Sequence, residues 1–241
     1  MLKTRCIPVL LWDARGLVKP IGFQRPGRFV GSLMSAAMLY ENRVCDELIL
    51  LDIDATPSKR GPRFHSIEQF TSKLFCPVTV GGGVRSLEDI RSLLKAGADK
   101  VVIKSHATPE FVRRAADKFG SQCIVVALDY GDSAFEEDIG MMLLKAKFLE
   151  KMGAGEFILT NKDRDGTRIG YDLETIRIIC KAVSVPVIAN GGCSGPQDML
   201  DAIKAGAHAV AASSIFLYEN VSPQMCKEYL AREGVPVRIE T

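Results

Sequence analysis

The chain carries VTVGGGVRSLEDIRSLLKAGADKVVI at residues 78–103 and a closely similar stretch, VIANGGCSGPQDMLDAIKAGAHAVAA, at residues 187–212. The tetrapeptide KAGA begins at Lys95 in the first stretch and at Lys204 in the second, which sets an offset of 109 residues (204 − 95). Each stretch runs from an apolar segment through a glycine-rich turn and a segment of helical period to a second apolar segment. This similarity predicts a chain built from two duplicated halves.

The same offset relates other parts of the two halves. It places Glu47 on Glu156 and Asp54 on Asp163, so the repeat covers at least two strand-and-helix units in each half. Eight short apolar runs alternate with segments of helical period. In chain order the runs are RCIPVLL, ELILLDI, CPVTVGG, KVVIKS, CIVVALD, EFILTN, VPVIANG and AVAASSI. Runs that are apolar at nearly every position are typical of parallel strands buried on both faces.

Strand followed by helix, eight times, predicts a closed (β/α)8 barrel. The length of 241 residues fits a single barrel domain spanning residues 1–241. An open doubly wound sheet is the alternative. A duplicated half of four strands closes naturally into eight, whereas it gives the open sheet no advantage.

The boundaries of one helix are marked in the sequence. Ser86 is a helix-capping residue type, Glu88 and Asp89 make the first turn acidic, and Gly97 follows the last periodic residue. The final stretch, SPQMCKEYLAREGVPVRIET, predicts a last helix followed by a short tail.

Composition excludes several classes of function. A net charge of +2 with 25% charged residues gives no dominant sign, so nothing in the charge balance indicates a nucleic-acid or membrane partner. No signal peptide or membrane-spanning run is evident, which predicts a cytoplasmic protein. Seven cysteines without CxxC spacing and three isolated histidines predict reduced thiols, with no metal and no organic cofactor.

Candidate phosphate ligands follow several of the predicted strands, at the end where a barrel builds its active site. They are Gly81, Gly82 and Gly83, Lys104 and Ser105, Gly166, Gly191 and Gly192, and Ser213 and Ser214. Glycine lets a backbone N–H approach an anion, a helix N-terminus adds partial positive charge, and Ser or Lys supplies further donors. Tight turns alone would explain one glycine cluster. Clusters in both halves predict a ligand with a phosphate at each end.

These residues together resemble the cyclase subunit of imidazole glycerol phosphate synthase and its close paralogues. The resemblance covers essentially the full length and rests on TVGGGVR, GADKV, FGSQ, GAGE, DRDGT followed by GYD, and NGG. It implies a barrel that accepts ammonia from a partner glutaminase subunit and joins it to a substrate with two phosphates, closing an imidazole ring in histidine biosynthesis. The family's phosphate-contacting positions correspond here to Gly83, Lys104, Ser105, Gly166, Gly192, Ser213 and Ser214.

The family's two catalytic carboxylates correspond to Leu11 and Asp129, so only one of them is an acid here. Proton transfer contributes about 100-fold to 10,000-fold to a rate, and an aliphatic side chain cannot take part in it. The resemblance therefore implies that ring closure is crippled. Asp13 has the same strand parity as Leu11 but lies roughly 6–7 Å further along at about 3.3 Å per residue, too far to replace it without a changed backbone.

Two further departures affect the same site. Family members usually have Asn where this chain has Lys104, and they carry a longer segment after the fifth strand. Here DYGDSAFEEDIGMMLL leads almost directly into the next helix. Lys104 can still hold a phosphate, but the shorter segment would leave the ligand less covered.

The opposite end of the barrel keeps the family pattern. A ring of four alternating charges, through which ammonia enters in the family, corresponds to Arg5, Glu47, Lys100 and Glu156. Asp99 resembles a position that faces the glutaminase. A structural salt-bridge cluster is the alternative interpretation of the ring, since such a group is costly to bury unless its pairing is complete.

Three hypotheses follow. The first is a subunit that docks a glutaminase and delivers ammonia to a separate amidotransferase; a family branch beginning like RCIPVLLWDARGLVK is linked to acetamidino modification of bacterial surface sugars. The second is an active cyclase in which Lys19, whose family counterpart lies near the ligand, Asp52 or Asp165 replaces the missing acid. The third is a phosphate-binding module with neither catalysis nor a partner.

Overall fold

The computed structural model describes residues 3–131 and 136–239. Within these ranges the chain forms ten strands and nine α-helices, with one 3₁₀ turn at Ser121–Cys123. The strands are β1 (Arg5–Asp13), β2 (Gly16–Lys19), β3 (Arg28–Gly31), β4 (Leu48–Asp52), β5 (Val78–Gly81), β6 (Lys100–Ile103), β7 (Ile124–Tyr130), β8 (Glu156–Asn161), β9 (Val187–Asn190) and β10 (Ala209–Ala212). The helices are α1 (Leu33–Asn42), α2 (Phe64–Thr71), α3 (Leu87–Lys95), α4 (Pro109–Phe119), α5 (Glu136–Lys151), α6 (Leu173–Ala182), α7 (Pro196–Lys204), α8 (Ser214–Tyr218) and α9 (Pro223–Arg232).

Eight parallel strands close into a barrel, which confirms the (β/α)8 prediction. The neighbours run β1, β4, β5, β6, β7, β8, β9 and β10, and β10 pairs back onto β1. The closing register places Arg5 opposite Ala209, and on the other side of β1, Val9 pairs with Ile49. We call the N-terminal ends of these strands the lower end of the barrel and their C-terminal ends the upper end.

Alternation along the strands separates two apolar cores. On β1, Ile7, Val9 and Leu11 face the barrel interior, whereas Leu10 and Trp12 pack beneath the surrounding helices. The interior core also contains Ile49, Val102, Val125, Ile158, Ile188, Ala209 and Ala211. Side chains that follow this interior parity therefore lie around the barrel axis at either end.

The duplication is visible in matching turns. The Oδ1 atom of Asp52 accepts hydrogen bonds of 3.1 Å from the backbone N–H groups of Asp54 and Ala55. The Oδ1 atom of Asn161, 109 residues later (161 − 52), accepts equivalent 3.1 Å bonds from the backbone N–H groups of Asp163 and Arg164. Both turns begin a loop at the upper end, so corresponding loops of the two halves start with the same side-chain-to-backbone hydrogen bonds.

The predicted boundaries of α3 are confirmed. Ser86 caps the helix, and its hydroxyl and the Asp89 carboxylate accept each other's backbone N–H groups in a capping box. Gly97 follows the helix with φ +91°, and a Cβ there would lie 2.6 Å from the Thr71 hydroxyl, so only glycine fits. The predicted last helix corresponds to α9, and the tail returns to the lower end, where Val237 bridges to Thr4.

Two features differ from the prediction or lie outside it. Strands β2 and β3 form an antiparallel hairpin on β1 that the sequence analysis did not anticipate, and the hairpin brings Lys19 to the upper end, where it is 3% exposed. Residues 132–135, in the shortened segment after the fifth barrel strand, lie outside the described residues. Among the described helices, none has both the length and the apolar character needed to cross a membrane.

Candidate functional site

A central cavity of about 280 Å³ lies at the upper end of the barrel. Its lowest lining residues are the interior side chains Val9, Val102 and Ile158, which belong to β1, β6 and β8. The loops after the barrel strands and the hairpin of β2 and β3 form its walls. The cavity therefore occupies the position in which barrel enzymes hold their ligands.

Most of the residues predicted to contact the ligand meet in this cavity. Its lining includes Lys19, Gly83, Lys104, Ser105, Asp129, Asp165 and Ser213. A second pocket of about 400 Å³ is lined by Lys19, Gly166 and Ser214, so the predicted phosphate residues of the second half divide between two pockets. Gly192 lines neither of them: its carbonyl accepts the Gly170 N–H at 2.8 Å, in the turn after β9.

One buried hydroxyl in the cavity lacks a partner. Ser213 is 9% exposed, and its Oγ has no hydrogen-bond partner within the described ranges. An unpaired buried polar group costs free energy unless a ligand or water supplies the missing bond. Ser213 therefore presents a ready donor or acceptor to a ligand in the central cavity.

The charged side chains around the cavity pair with one another. Lys19 Nζ lies 2.9 Å from both carboxylate oxygens of Asp165, with side-chain exposures of 2% and 9%. Lys104 forms an ion pair with Asp129. The Asp52 carboxylate accepts a hydrogen bond of 2.8 Å from Arg60. Each of these three pairs is neutral, and Arg25 is a further cation of the cavity lining, where its guanidinium donates to the Ile53 carbonyl.

Leu11 lines the central cavity where the family resemblance places a catalytic acid. It is 7% exposed and belongs to the apolar interior core. Asp13 is outside the cavity lining and pairs with Arg15 at 2.6 Å. The hydrogen bond from Arg15 is the main reason that the pKa of Asp13 lies below its ordinary value. Asp13 therefore forms an ion pair with Arg15 outside the cavity.

The four residues of the predicted charge ring meet at the lower end of the barrel. Arg5 donates to Glu47 at 2.5 Å and also contacts Glu156, while Lys100 lies 3.0 Å from Glu47 and 2.8 Å from Glu156. Each cation thus bridges both carboxylates and closes the ring. The glutamate side chains are buried, whereas the two cations keep about a quarter of their side-chain surface exposed (24% and 22%). The cations therefore form the solvent-facing part of the ring.

Neighbouring charges hold Glu47 ionised despite its burial. Burial alone would raise its pKa, but Lys100, Arg5 and a hydrogen bond from the Thr79 hydroxyl outweigh burial, so the pKa of Glu47 lies below its ordinary value. That hydroxyl contact measures 2.5 Å. The ring is therefore a fully paired ionic cluster, as burial of charges requires.

One apolar layer separates the ring from the central cavity. Val102 and Ile158, at the cavity floor, follow the ring residues Lys100 and Glu156 by two positions on their strands. Two strand residues span about 6.6 Å. An apolar layer disfavours a charged ammonium ion and admits neutral ammonia at lower cost.

Asp99, the predicted docking residue, lies at the lower end and is exposed. Its carboxylate accepts the Val78 N–H at 2.8 Å, and its own N–H donates to the Val78 carbonyl at 2.9 Å. The duplication repeats this contact, since His208 Nδ1 accepts the Val187 N–H at 3.3 Å. Asp99 therefore has a structural contact that leaves its side chain accessible.

Several site residues escaped the sequence analysis. Phe23 and Arg25, in the loop between β2 and β3, line the central cavity, while Arg28 and Arg168 line the second pocket. Arg168 pairs with Glu219 across that pocket. Within residues 3–131 and 136–239 the hairpin occurs in the first half alone, so the repeat gave no guide to it. The arginines in QRPGRF are the sequence feature that could have indicated a contribution of this segment to the site.

Comparison with known proteins agrees with this architecture. A family model described as "Histidine biosynthesis protein" matches residues 8–222. A protein of Campylobacter jejuni subsp. jejuni serotype O:2, named "Putative imidazole glycerol phosphate synthase subunit hisF2", is 44% identical to the chain over 250 residues. That alignment covers 99% of this chain and 100% of the relative.

Proposed function

The chain belongs to the histidine biosynthesis protein family, and from that premise we propose that it is a cyclase-type subunit that passes glutamine-derived ammonia through its barrel to a separate acceptor. The observation that carries the proposal is Leu11, an aliphatic side chain on the cavity wall where the family resemblance places an acid. Without that acid the ring-closing proton transfers lose one of their two groups. What remains is a cavity that can receive ammonia.

The electrostatics of the barrel support this proposal. The closed charge ring at the lower end leads to one apolar layer and then to the cavity, where Leu11 extends the apolar surface upward. Asp129 is held by Lys104, so it does not stand as an isolated carboxylate that would attract an ammonium ion. Neutral ammonia would cross such a path at lower cost than ammonium.

The proposed partners are a glutaminase at the lower end and a downstream amidotransferase. The ring and Asp99 lie on the face that the resemblance assigns to the glutaminase, which would form a heterodimer with this chain. The segment RCIPVLLWDARGLVK resembles the family branch linked to acetamidino modification of surface sugars. Surface-polysaccharide biosynthesis is therefore the proposed context.

The primary test is ring closure of the bisphosphorylated histidine-pathway substrate with ammonium salt. We expect no turnover by the wild-type chain and partial turnover by Leu11→Asp, because the substitution restores a carboxylate at the cavity wall. Leu51→Asp is the matched control, since Leu51 lines the same cavity from β4. Wild-type turnover near that of an ordinary cyclase would overturn the conduit proposal.

An active cyclase is the second candidate, favoured by the buried pair of Lys19 and Asp165 in the cavity. In that case the wild-type chain would turn over. Asp165→Asn would then abolish the activity, while Asp13→Asn would not, because Asp13 lies outside the cavity lining.

The partner is tested separately. With a glutaminase subunit, we expect a defined complex in which Glu156→Ala changes glutamine-dependent ammonia transfer. Unchanged transfer would favour a purely structural ring. Absence of any complex would favour the phosphate-binding module without a partner.

A further inference from the structure

We propose that Lys104 exchanges Asp129 for a bound phosphate, and that this exchange opens the upper end of the barrel. The contacts of three residues, Lys104, Asp129 and Phe23, carry the inference; we call them the Lys104 latch. The role of the latch in ammonia exit rests on the proposed conduit function. The exchange itself is a property of the chain alone.

The latch spans the upper end of the barrel. Lys104 follows β6 and pairs with Asp129 on the neighbouring strand β7. Its Nζ also lies 5.2 Å from the centroid of the Phe23 ring, in a cation–π contact. Phe23 belongs to the loop between β2 and β3, where the neighbouring Gly22 N–H donates to the Asp165 carbonyl at 2.8 Å, in the loop after β8. One ammonium group therefore connects β6 and β7 to the hairpin loop at the upper end.

The lysine is the exchangeable member of the latch. Its side chain is 53% exposed, whereas the Asp129 side chain is 10% exposed. A partly exposed ion pair contributes little net stability because water solvates the cation well. Lys104 can therefore leave Asp129 at little cost to the cation itself if a stronger anion binds nearby; the main cost falls on the mostly buried Asp129 carboxylate, which loses its partner.

The candidate anion site adjoins Lys104. Gly82, Gly83 and Ser105 line the same cavity as the latch. Gly82 and Gly83 have φ values of +114° and +75°, and a Cβ on Gly83 would lie 2.7 Å from the Arg60 carbonyl, so the backbone there requires glycine. Turns of this kind present N–H groups to anions. A phosphate monoester carries about 1.5 to 2 negative charges at neutral pH, more than the Asp129 carboxylate.

The exchange would alter the boundary between two cavities. Lys104 and Asp129 line both the central cavity and a neighbouring one of about 1210 Å³ that extends over α5. Met141 and Phe148 of α5 lie in the wall of the second cavity. Release of Lys104 would remove the bridge at this boundary and one of the contacts that hold the Phe23 loop, which keeps the hydrogen bonds of Gly22 to Asp165 and of Arg25 to Ile53. A phosphorylated ligand would thereby open a route from the barrel axis toward α5.

The test uses the isolated chain, inorganic phosphate as the probe, and hydrogen exchange as the main readout. We expect phosphate to accelerate exchange at the loop amides around Gln24, whose N–H bonds to the Ile21 carbonyl at 3.0 Å, because Phe23 loses its cation. Simple binding without exchange of partners would slow it. In Lys104→Met, exchange should be fast without phosphate and insensitive to it.

Binding affinities supply the second readout. Lys104→Met should weaken phosphate binding about tenfold, as expected for loss of one charge-assisted hydrogen bond. Asp129→Asn should tighten it, because Lys104 is then unpaired. Lys145→Met is the matched control, since Lys145 lines the neighbouring cavity and is not part of the latch.

Three outcomes would overturn the exchange: no phosphate binding, equal affinity of wild type and Lys104→Met, or loop exchange that slows or stays constant on binding. None of these depends on a glutaminase or on ring closure. Failure of the latch and failure of the conduit proposal are therefore distinguishable.

Discussion

At the scale of single residues, a deeply buried ion pair of the lower end links Lys227 to Asp46. Their side chains are 1% and 6% exposed, Nζ and Oδ1 lie 3.0 Å apart, and Asp46 also accepts the Cys6 N–H at 2.8 Å. Lys227→Met would leave the carboxylate buried without its cation. Such a loss costs about 3–5 kcal/mol in the free energy of unfolding.

Urea unfolding measures this cost. Lys147→Met is the control, because Lys147 is exposed on α5 and surface substitutions usually change stability by less than about 0.5 kcal/mol. Similar effects of the two substitutions would show that the pair does not anchor α9 to the strands beside the charge ring.

Glu47 predicts a pH dependence of stability. Its pKa in the folded chain is lowered from 4.5 by Lys100, Arg5 and Thr79 against the opposing effect of burial. A depressed acid stabilises the fold above its unfolded pKa, and this contribution disappears as the pH falls through the folded pKa. The difference in unfolding free energy between wild type and Glu47→Gln should therefore be constant above pH 4.5 and shrink below it. A difference that grows on acidification would contradict the assignment.

The sequence alone shows that Leu11 is aliphatic at the position where the family resemblance places an acid, because only the residue type matters there. It does not show the pairing of Lys104 with Asp129 or of Lys19 with Asp165. Those contacts depend on side-chain conformation and on a loop that no repeat or periodicity describes. The members of the Lys19 pair are also separated by 146 residues in the chain.

At the scale of elements, the capping box of α3 gives a direct prediction. Ser86→Ala removes a hydroxyl that accepts the Asp89 N–H at 3.1 Å, and loss of such a cap costs about 1 kcal/mol. Ser92→Ala, in the middle of the same helix, should be neutral or slightly stabilising because alanine has the highest helix propensity. Urea unfolding of the two variants checks the difference; equal effects would show that the cap is unimportant.

The barrel strands could be predicted because each is a continuous apolar run followed by a helical segment. The hairpin of β2 and β3 could not. Its strands have four residues each, and β3 is largely exposed, so neither run shows the apolar signal of a buried strand. The missed elements therefore lie at the upper end of the barrel and are not covered by the helical layer that buries the barrel strands.

At the scale of the whole molecule, the barrel axis joins two ends with different chemistry. The lower ring takes two glutamates from corresponding positions of the two halves, Glu47 and Glu156, and two cations that have no such relation. The upper end has likewise lost its symmetry, since Leu11 faces a cavity that also holds Asp129. The duplication accounts for the eight-stranded barrel. The residues that differ between the halves make the charged lower end chemically different from the cavity at the upper end.

The proposed passage of ammonia from the ring to the cavity can be tested with a larger side chain on the barrel axis. Ala209 faces the interior beside Arg5, whereas Ala212, on the same strand, packs beneath the helices. Leucine at either position overpacks a core and should cost about 1–3 kcal/mol. Only Ala209→Leu should obstruct ammonia, lowering glutamine-dependent amination about tenfold, a barrier increase of about 1.4 kcal/mol.

The measurement supplies glutamine labelled with ¹⁵N in its amide to the complex with the glutaminase, together with unlabelled ammonium salt, and follows ¹⁵N in the aminated product. Ala209→Leu should shift incorporation toward the unlabelled ammonium, because that source can reach the cavity from the upper end without passing Ala209. Ala212→Leu should keep the wild-type ratio at similar stability. Equal ratios in both variants would mean that ammonia reaches the acceptor without crossing the barrel interior.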